Sequence, residues 1–167
     1  MSEADHLADL ALAWLRDHYD EYRFFVERDV VWSIQTRLES IIRDSNSQLQ
    51  VFNDYPMIRG PRRSLATDLA LVSPDNCVQL ALEFKYEPCH RRTGLLSHKF
   101  PVVVWGTEGV EKDVERIREY VACGKARAAR SYFIDEGGHF ARRPPHRGSI
   151  WIPWGGDRWV LVSAAPA

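Results

Sequence analysis

The stretch TDLALVSPDNCVQLALEFKYEP, residues 67–88, constrains the fold of this chain more than any other. Two apolar segments, roughly 64–73 and 77–87, flank the turn sequence SPDN, in which Pro74 suits the second position of a type I turn. They read as a β-hairpin. If Ser73 and Asn76 flank a two-residue turn, Asp68 lies opposite Ala81 and Ala66 opposite Glu83. Side chains alternate between the faces of a strand, and directly paired residues share a face. One face then carries Thr67, Leu69, Leu71, Val78, Leu80, Leu82 and Phe84, a core face. The other carries Ala66, Asp68, Ala70, Gln79, Ala81, Glu83 and Lys85. Asp68 and Glu83 become diagonal neighbours about 7–8 Å apart, and a slip of two residues keeps them on one face.

Charge inside an apolar hairpin is costly, so these residues ask for a reason. Two facing carboxylates repel and raise one another's pKa unless a cation sits between them. The three alanines around them leave room for an ion, a substrate or a closely packed helix. Paired acids supply the oxygen ligands that Mg²⁺ takes in small number while keeping several waters. The bland alternative is a salt bridge on a half-exposed sheet face, an interaction worth little. Glu27 extends the acidic pattern: it precedes Val31, Ile34 and Leu38 on the apolar stripe of a helix, which aims it at the sheet. Asp29 and Glu39 fall off that stripe and read as surface charges.

The remainder supplies the other layers. Apolar periodicity predicts a first helix over about 3–20, with Leu7, Leu10, Ala11, Trp14 and Leu15 on one face. A second covers about 25–43, with Val30, Val31, Ile34, Leu38, Ile41 and Ile42 inward. A strand at about 49–54 is closed by NDYP. After the hairpin, Val110, Val114, Ile117 and Val121 mark a third helix over 110–123. ARSYFIDEGG reads as a strand, and SIWIPWGGDRWVLVSA supplies one or two more. At 167 residues this is one domain spanning 1–167, of α/β or α+β layered architecture.

Composition narrows the class without naming it. No stretch approaches the roughly 20 apolar residues of a membrane span. Cys77, Cys89 and Cys123 are odd in number and lack metal-site spacing, which points to reduced thiols in a cytoplasmic protein. The net charge of −1 hides an asymmetry: residues 1–44 hold ten acids against five bases. From Gly137 to Gly156 there is no acid, while Arg142, Arg143, Arg147, His139 and His146 form a basic flank open to phosphates or to solvent.

Asp68 followed by EFK at 83–85 on the next strand, with an acid-bearing helix before and a helix and strand after, resembles the PD-(D/E)xK phosphodiesterase superfamily. The resemblance covers roughly residues 25–135. It implies a restriction-endonuclease-like αβββαβ core, a mixed central sheet flanked by helices, here with an added N-terminal helix and a short C-terminal β extension. It also implies a metal-dependent nuclease in which Asp68 and Glu83 bind Mg²⁺ or Mn²⁺ and Lys85 sits near the attacking water. Glu27 matches the helix carboxylate that many members add, so the implied catalytic set is Asp68, Glu83, Lys85 and Glu27. Thr67 stands where a Pro often precedes the Asp. The implied partner is nucleic acid, DNA before RNA, with a homodimer left open and no membrane. The alternative is a catalytically inactive module of the same fold that binds nucleic acid or a protein.

Other candidates have simpler explanations. Gln79 lies away from the motif. Trp151, Trp154 and Trp159 read as core anchors before base-stacking groups. Arg62, Arg63, Arg91, Arg92, His98 and Lys99 flank the motif strands and read singly as solvated surface. Asp135 and Glu136, ahead of Gly137 and Gly138, fit turn chemistry.

Overall fold

A computed structural model describes residues 1–58, 65–94 and 99–166. Arg62, Arg63 and His98 lie outside them. Among the described residues three α-helices, α1 (Glu3–Asp17), α2 (Glu27–Asp44) and α3 (Val110–Ala122), pack on six strands. The strands are β1 (Gln50–Ile58), β2 (Leu65–Val72), β3 (Val78–Glu87), β4 (Ala129–Asp135), β5 (Ser149–Gly155) and β6 (Arg158–Ala165). They form one mixed sheet in the order β1-β2-β3-β4-β6-β5. Among the described residues only β3 and β4 run parallel, and the segment carrying α3 makes the crossover such a pair requires.

The hairpin's alternation divides the core. Leu69, Leu71, Leu80, Leu82 and Phe84 are fully buried against α1 and α2, through Leu7, Ala11, Leu15, Val30, Ile34 and Leu38. Each such side chain contributes about 1.5–3 kcal/mol by burial. On the opposite face Ala70, Ala81 and Ala129 meet Ile117 and Tyr120 of α3. The small residues there admit a closely packed helix. Leu10 departs from the expected stripe: α1 buries Ala4, Leu7, Ala8, Ala11, Leu12 and Leu15, leaving Leu10 exposed. The C-terminal residues form two strands, β5 and β6, joined at Gly155 and Gly156, both with positive φ.

Two expectations about the hairpin region are corrected. The β2–β3 turn is a three-residue loop: Ser73 N–H donates to the Cys77 carbonyl at 3.0 Å, and Asn76 takes φ 60°. That loop and an adjoining bulge set Ala70 opposite Ala81 and Leu69 opposite Leu82. Continued along both strands, this register sets Asp68 against Glu83 rather than Ala81. The two-residue slip keeps the charged face together, while the bulge turns Val78 toward α3. The second correction concerns NDYP, which does not close β1. The strand runs on to Ile58, with Pro56 paired to Ala66. Pro56 is tolerated because β1 is an edge strand, and Asp54 absorbs the local bend at φ 46°.

Candidate active site

The sheet forks where the charged residues lie. The β2–β3 ladder ends at Leu69 and Leu82. Beyond it, Leu65–Thr67 stays paired with β1, while Glu83–Glu87 stays paired with β4. Side chains of β2 replace the missing ladder partners. Thr67 Oγ1 donates to the Leu82 carbonyl at 2.8 Å, and Phe84 N–H donates to Asp68 Oδ2 at 2.6 Å. The opening satisfies the strand edges and leaves a gap into which both helical layers reach.

From one side comes Glu27, the first residue of α2, whose Oε2 lies 3.3 Å from Lys85 Nζ. Its turn is fixed by Asp29, whose carboxylate accepts the N–H groups of Phe25 and Val26 at 2.8 and 3.0 Å. From the other side comes α3. Asp113, only 1% exposed, sits 3.1 Å from Lys85 and 3.5 Å from Arg116. Glu83, 2% exposed, accepts the Tyr120 hydroxyl at 2.8 Å and has Arg116 at 3.8 Å. The start of α3 is set by Gly109, where an added Cβ would fall 1.7 Å from the Val104 carbonyl oxygen. That oxygen accepts the Val110 N–H at 2.9 Å. Acid and base therefore alternate through the fork in the order Glu27, Lys85, Asp113, Arg116, Glu83, with Asp68 beside them.

Four acids face two bases with little water to screen them, and their protons reflect this. Burial, reinforced by Asp68 and Asp113, pushes the Glu83 carboxyl up to about 8. Burial likewise raises Glu27 to about 7 against the pull of Lys85, with Asp68 adding to the rise. Asp68 is raised by burial, which the Phe84 N–H and Lys85 only partly offset. Asp113 is raised by burial despite Lys85 and Arg116. Burial works against the Lys85 ammonium, yet Asp113 and Glu27 hold it well above its ordinary range. Repulsion among desolvated carboxylates is the condition under which a hard divalent cation gains most. Asp68 and Glu83 are the pair whose repulsion it would relieve. Among the described residues, no three His, Cys, Asp or Glu side chains are grouped to ligate one metal.

Two openings reach the fork and meet at Glu27. A polar cleft of about 90 Å³ is lined by Glu27, Arg28, Trp32, Asp54 and Asp68. A larger cavity of about 420 Å³ is lined by Glu27, Lys85, Tyr86, Val104 and Gly109. Glu83 lies deeper, held by Tyr120.

All four residues singled out in the sequence gather here, but Lys85 pairs with Glu27 and Asp113, and Glu27 stands at a helix start. Sequence reasoning missed Asp54, Asp113, Arg116 and Tyr120. Asp113 and Tyr120 had a signal, since they fall three residues after Val110 and Ile117 on the buried stripe of α3. Asp54 had none, because NDYP carries turn residues. Elsewhere, Arg92 is committed to Glu136 at 2.8 Å, and the Glu136 carboxylate also accepts from Tyr86 and Cys89. Asp135 accepts the N–H groups of His139 and Phe140, a turn function. Gln79 bonds Ser73 in the hairpin loop, and Trp151 stacks on Trp105. Cys77, Cys89 and Cys123 are free thiols, and among the described residues no helix is long and apolar enough to cross a membrane. No family model, curated protein or solved structure matches this chain, so the site's own geometry carries its reading.

Proposed function

We propose that the protein is a metal-dependent nuclease that hydrolyses phosphodiester bonds in nucleic acid, DNA before RNA, on a restriction-endonuclease-like core formed by α2, β1, β2, β3, α3 and β4. The observation that carries this reading is the fork: Asp68, Glu83 and Lys85 converge where β2 and β3 part, with more desolvated carboxylate than base. Asp68 and Glu83 would hold Mg²⁺ or Mn²⁺, which supplies Lewis acidity and a water of lowered pKa when bound. Lys85, kept charged by Asp113 and Glu27, offers a compact cation to the phosphate and to the charge that develops on it. Glu27 lines both openings, and its carboxyl near 7 is poised to accept a proton at neutral pH. Tyr120 and Asp113 position Glu83 and Lys85 respectively.

A second reading, an inactive module of the same fold, is favoured by the burial of Glu83 and by the ion pairs that already satisfy Lys85. Cleavage assays on single-stranded, duplex and branched DNA and on RNA, each with Mg²⁺ and with Mn²⁺, separate the two. The nuclease reading expects metal-dependent cleavage that falls 10²–10⁴-fold in Lys85→Ala while Mn²⁺ binding persists. Glu83→Gln should lose both. Inactivity on every substrate, or wild-type cleavage by Lys85→Ala, moves the assignment to the binding module.

A further inference from the structure

A further cavity, about 530 Å³, lies between α1 and α2 and is lined by Trp14, Tyr22, Arg23, Trp32 and Arg37. Trp32 also lines the acidic cleft at Asp68, so the two are neighbours across one side chain. Trp32 is 64% exposed and shares this cavity with Trp14, Tyr22 and Phe24, so its indole belongs to an aromatic patch rather than standing alone. The opposite wall is aromatic too. Trp14 meets Tyr22 edge-on at 5.6 Å, and Tyr22 stacks parallel on Phe24 at 5.5 Å.

The cleft is also cationic. Arg37 lies over the Trp14 ring at 5.5 Å, and its Nε is buried without a hydrogen-bond partner. Among the described residues neither Arg37, in this cavity, nor Arg28, in the adjoining acidic cleft, has an ion-pair partner. The acid that lines this cleft, Asp29, is spent on the Phe25 and Val26 N–H groups. Flat aromatic faces beside unpaired guanidinium groups suit a ligand that is planar and aromatic at one end and anionic at the other. A lipid tail or apolar peptide would leave the guanidinium groups uncompensated. Trp32 follows Glu27 by five residues, about 7.5 Å along the helix axis.

Resting on the nuclease reading for the identity of the strand, we infer that this cleft binds an unpaired base of the nucleic acid. Trp32 stacks the base, the Trp14–Tyr22 wall bounds its edge, and Arg37 in this cavity and Arg28 in the adjoining acidic cleft take the flanking phosphates. The substrate class is then single-stranded or locally unpaired nucleic acid, because the faces of paired bases are already covered by their neighbours in the stack.

The test is binding, measured in EDTA so that no cleavage intervenes. Fluorescein-labelled 12-residue oligodeoxythymidylate and oligouridylate, and a blunt 12-base-pair DNA duplex, are titrated by anisotropy. Both single strands should bind at least tenfold more tightly than the duplex. Trp32→Ala should weaken single-strand binding about tenfold with an unchanged melting temperature, as expected for one lost stacking platform on an exposed site. Arg37→Ala should lower the slope of log affinity against log salt by about one. Equal binding of duplex and single strands, or an unchanged affinity in Trp32→Ala, overturns the inference, as does failure of all three probes to bind. Binding through Trp32 without cleavage of any substrate instead sinks the nuclease reading and leaves the cleft's assignment standing.

Discussion

Buried Glu83 makes a measurable demand on the protein's response to pH. Its carboxyl sits at about 8 in the folded chain, against an ordinary value of 4.5. The folded state therefore binds this proton more tightly than the unfolded state does. Below about pH 4.5 both states carry the proton and the contribution is fully present. As pH rises through 8 it is lost, at about 1.4 kcal/mol per pH unit between the two values, in total on the order of 5 kcal/mol. Asp68 and Asp113, also raised by burial, act with the same sign. Glu27 does too, but its side chain is 35% exposed and solvent screening weakens it.

Glu83→Gln isolates the contribution, because glutamine keeps the shape of the protonated acid and can still accept from Tyr120. Wild type and variant should unfold at similar denaturant concentrations near pH 5 and diverge toward pH 9, where the variant is the more stable by several kcal/mol. For a domain of this size that corresponds to about 10 °C in Tm. Magnesium adds the second arm. Since an ion bound only by the folded state stabilises it by RT ln(1 + [L]/Kd), Mg²⁺ at 100 times its Kd should return about 2.7 kcal/mol to the wild type above pH 8 and nothing to Glu83→Gln. Denaturant melts at pH 5, 7 and 9, with EDTA and with Mg²⁺, provide the comparison. Parallel wild-type and variant curves across that range would refute the burial argument, and equal stabilisation of both by Mg²⁺ would place the ion elsewhere.

Two further substitutions probe the α3 side of the fork. Asp113→Asn removes a buried counter-ion of Lys85, so cleavage should fall as Lys85 loses its position; because burial raises the Asp113 carboxyl, the metal-free variant should lose less stability than wild type as pH rises in denaturant melts. Tyr120→Phe deletes the hydrogen bond to Glu83 for about 1 kcal/mol. Because that bond is one of the influences holding the Glu83 carboxyl down, the pH at which metal-free stability falls should move upward.

How far the sequence carried can be judged element by element. The helices were legible because an apolar stripe at helical spacing survives any tertiary context: 25–43 was expected for α2 against Glu27–Asp44, and 110–123 for α3 against Val110–Ala122. The first helix stops three residues early because His18 leaves the helix and Tyr19–Glu21 form a single 3₁₀ turn, a backbone change that leaves the apolar spacing nearly unaltered. The end of β1 was hidden because asparagine, aspartate and proline signal a turn wherever they cluster, and only the strand's position at the sheet edge makes them harmless. That position is set by pairing with β2 and is invisible in a local window. The hairpin register failed for a related reason, since SPDN is compatible with a two-residue or a three-residue loop and the difference is one residue adopting positive φ.

The charged face survived that error because alternation has a period of two, and the observed register differs from the expected one by two. What alternation could not supply is the third dimension. Asp113 and Glu27 lie 86 residues apart in the chain and on opposite layers, yet both reach Lys85 because the sheet opens between them. The opening follows from Thr67 and Asp68, whose side chains take over the bonds that the ladder gives up. An intact ladder would leave Lys85 on one face, within reach of α3 alone. The same residue that presents a carboxylate at the fork thus also helps hold the fork open. Substituting Asp68 would therefore remove a carboxylate of the proposed metal pair and a strand edge's bonding partner together, whereas Lys85 and Glu83 variants leave the Phe84 N–H satisfied. Loss of activity in the latter two, with the fold retained, is the cleaner report on chemistry.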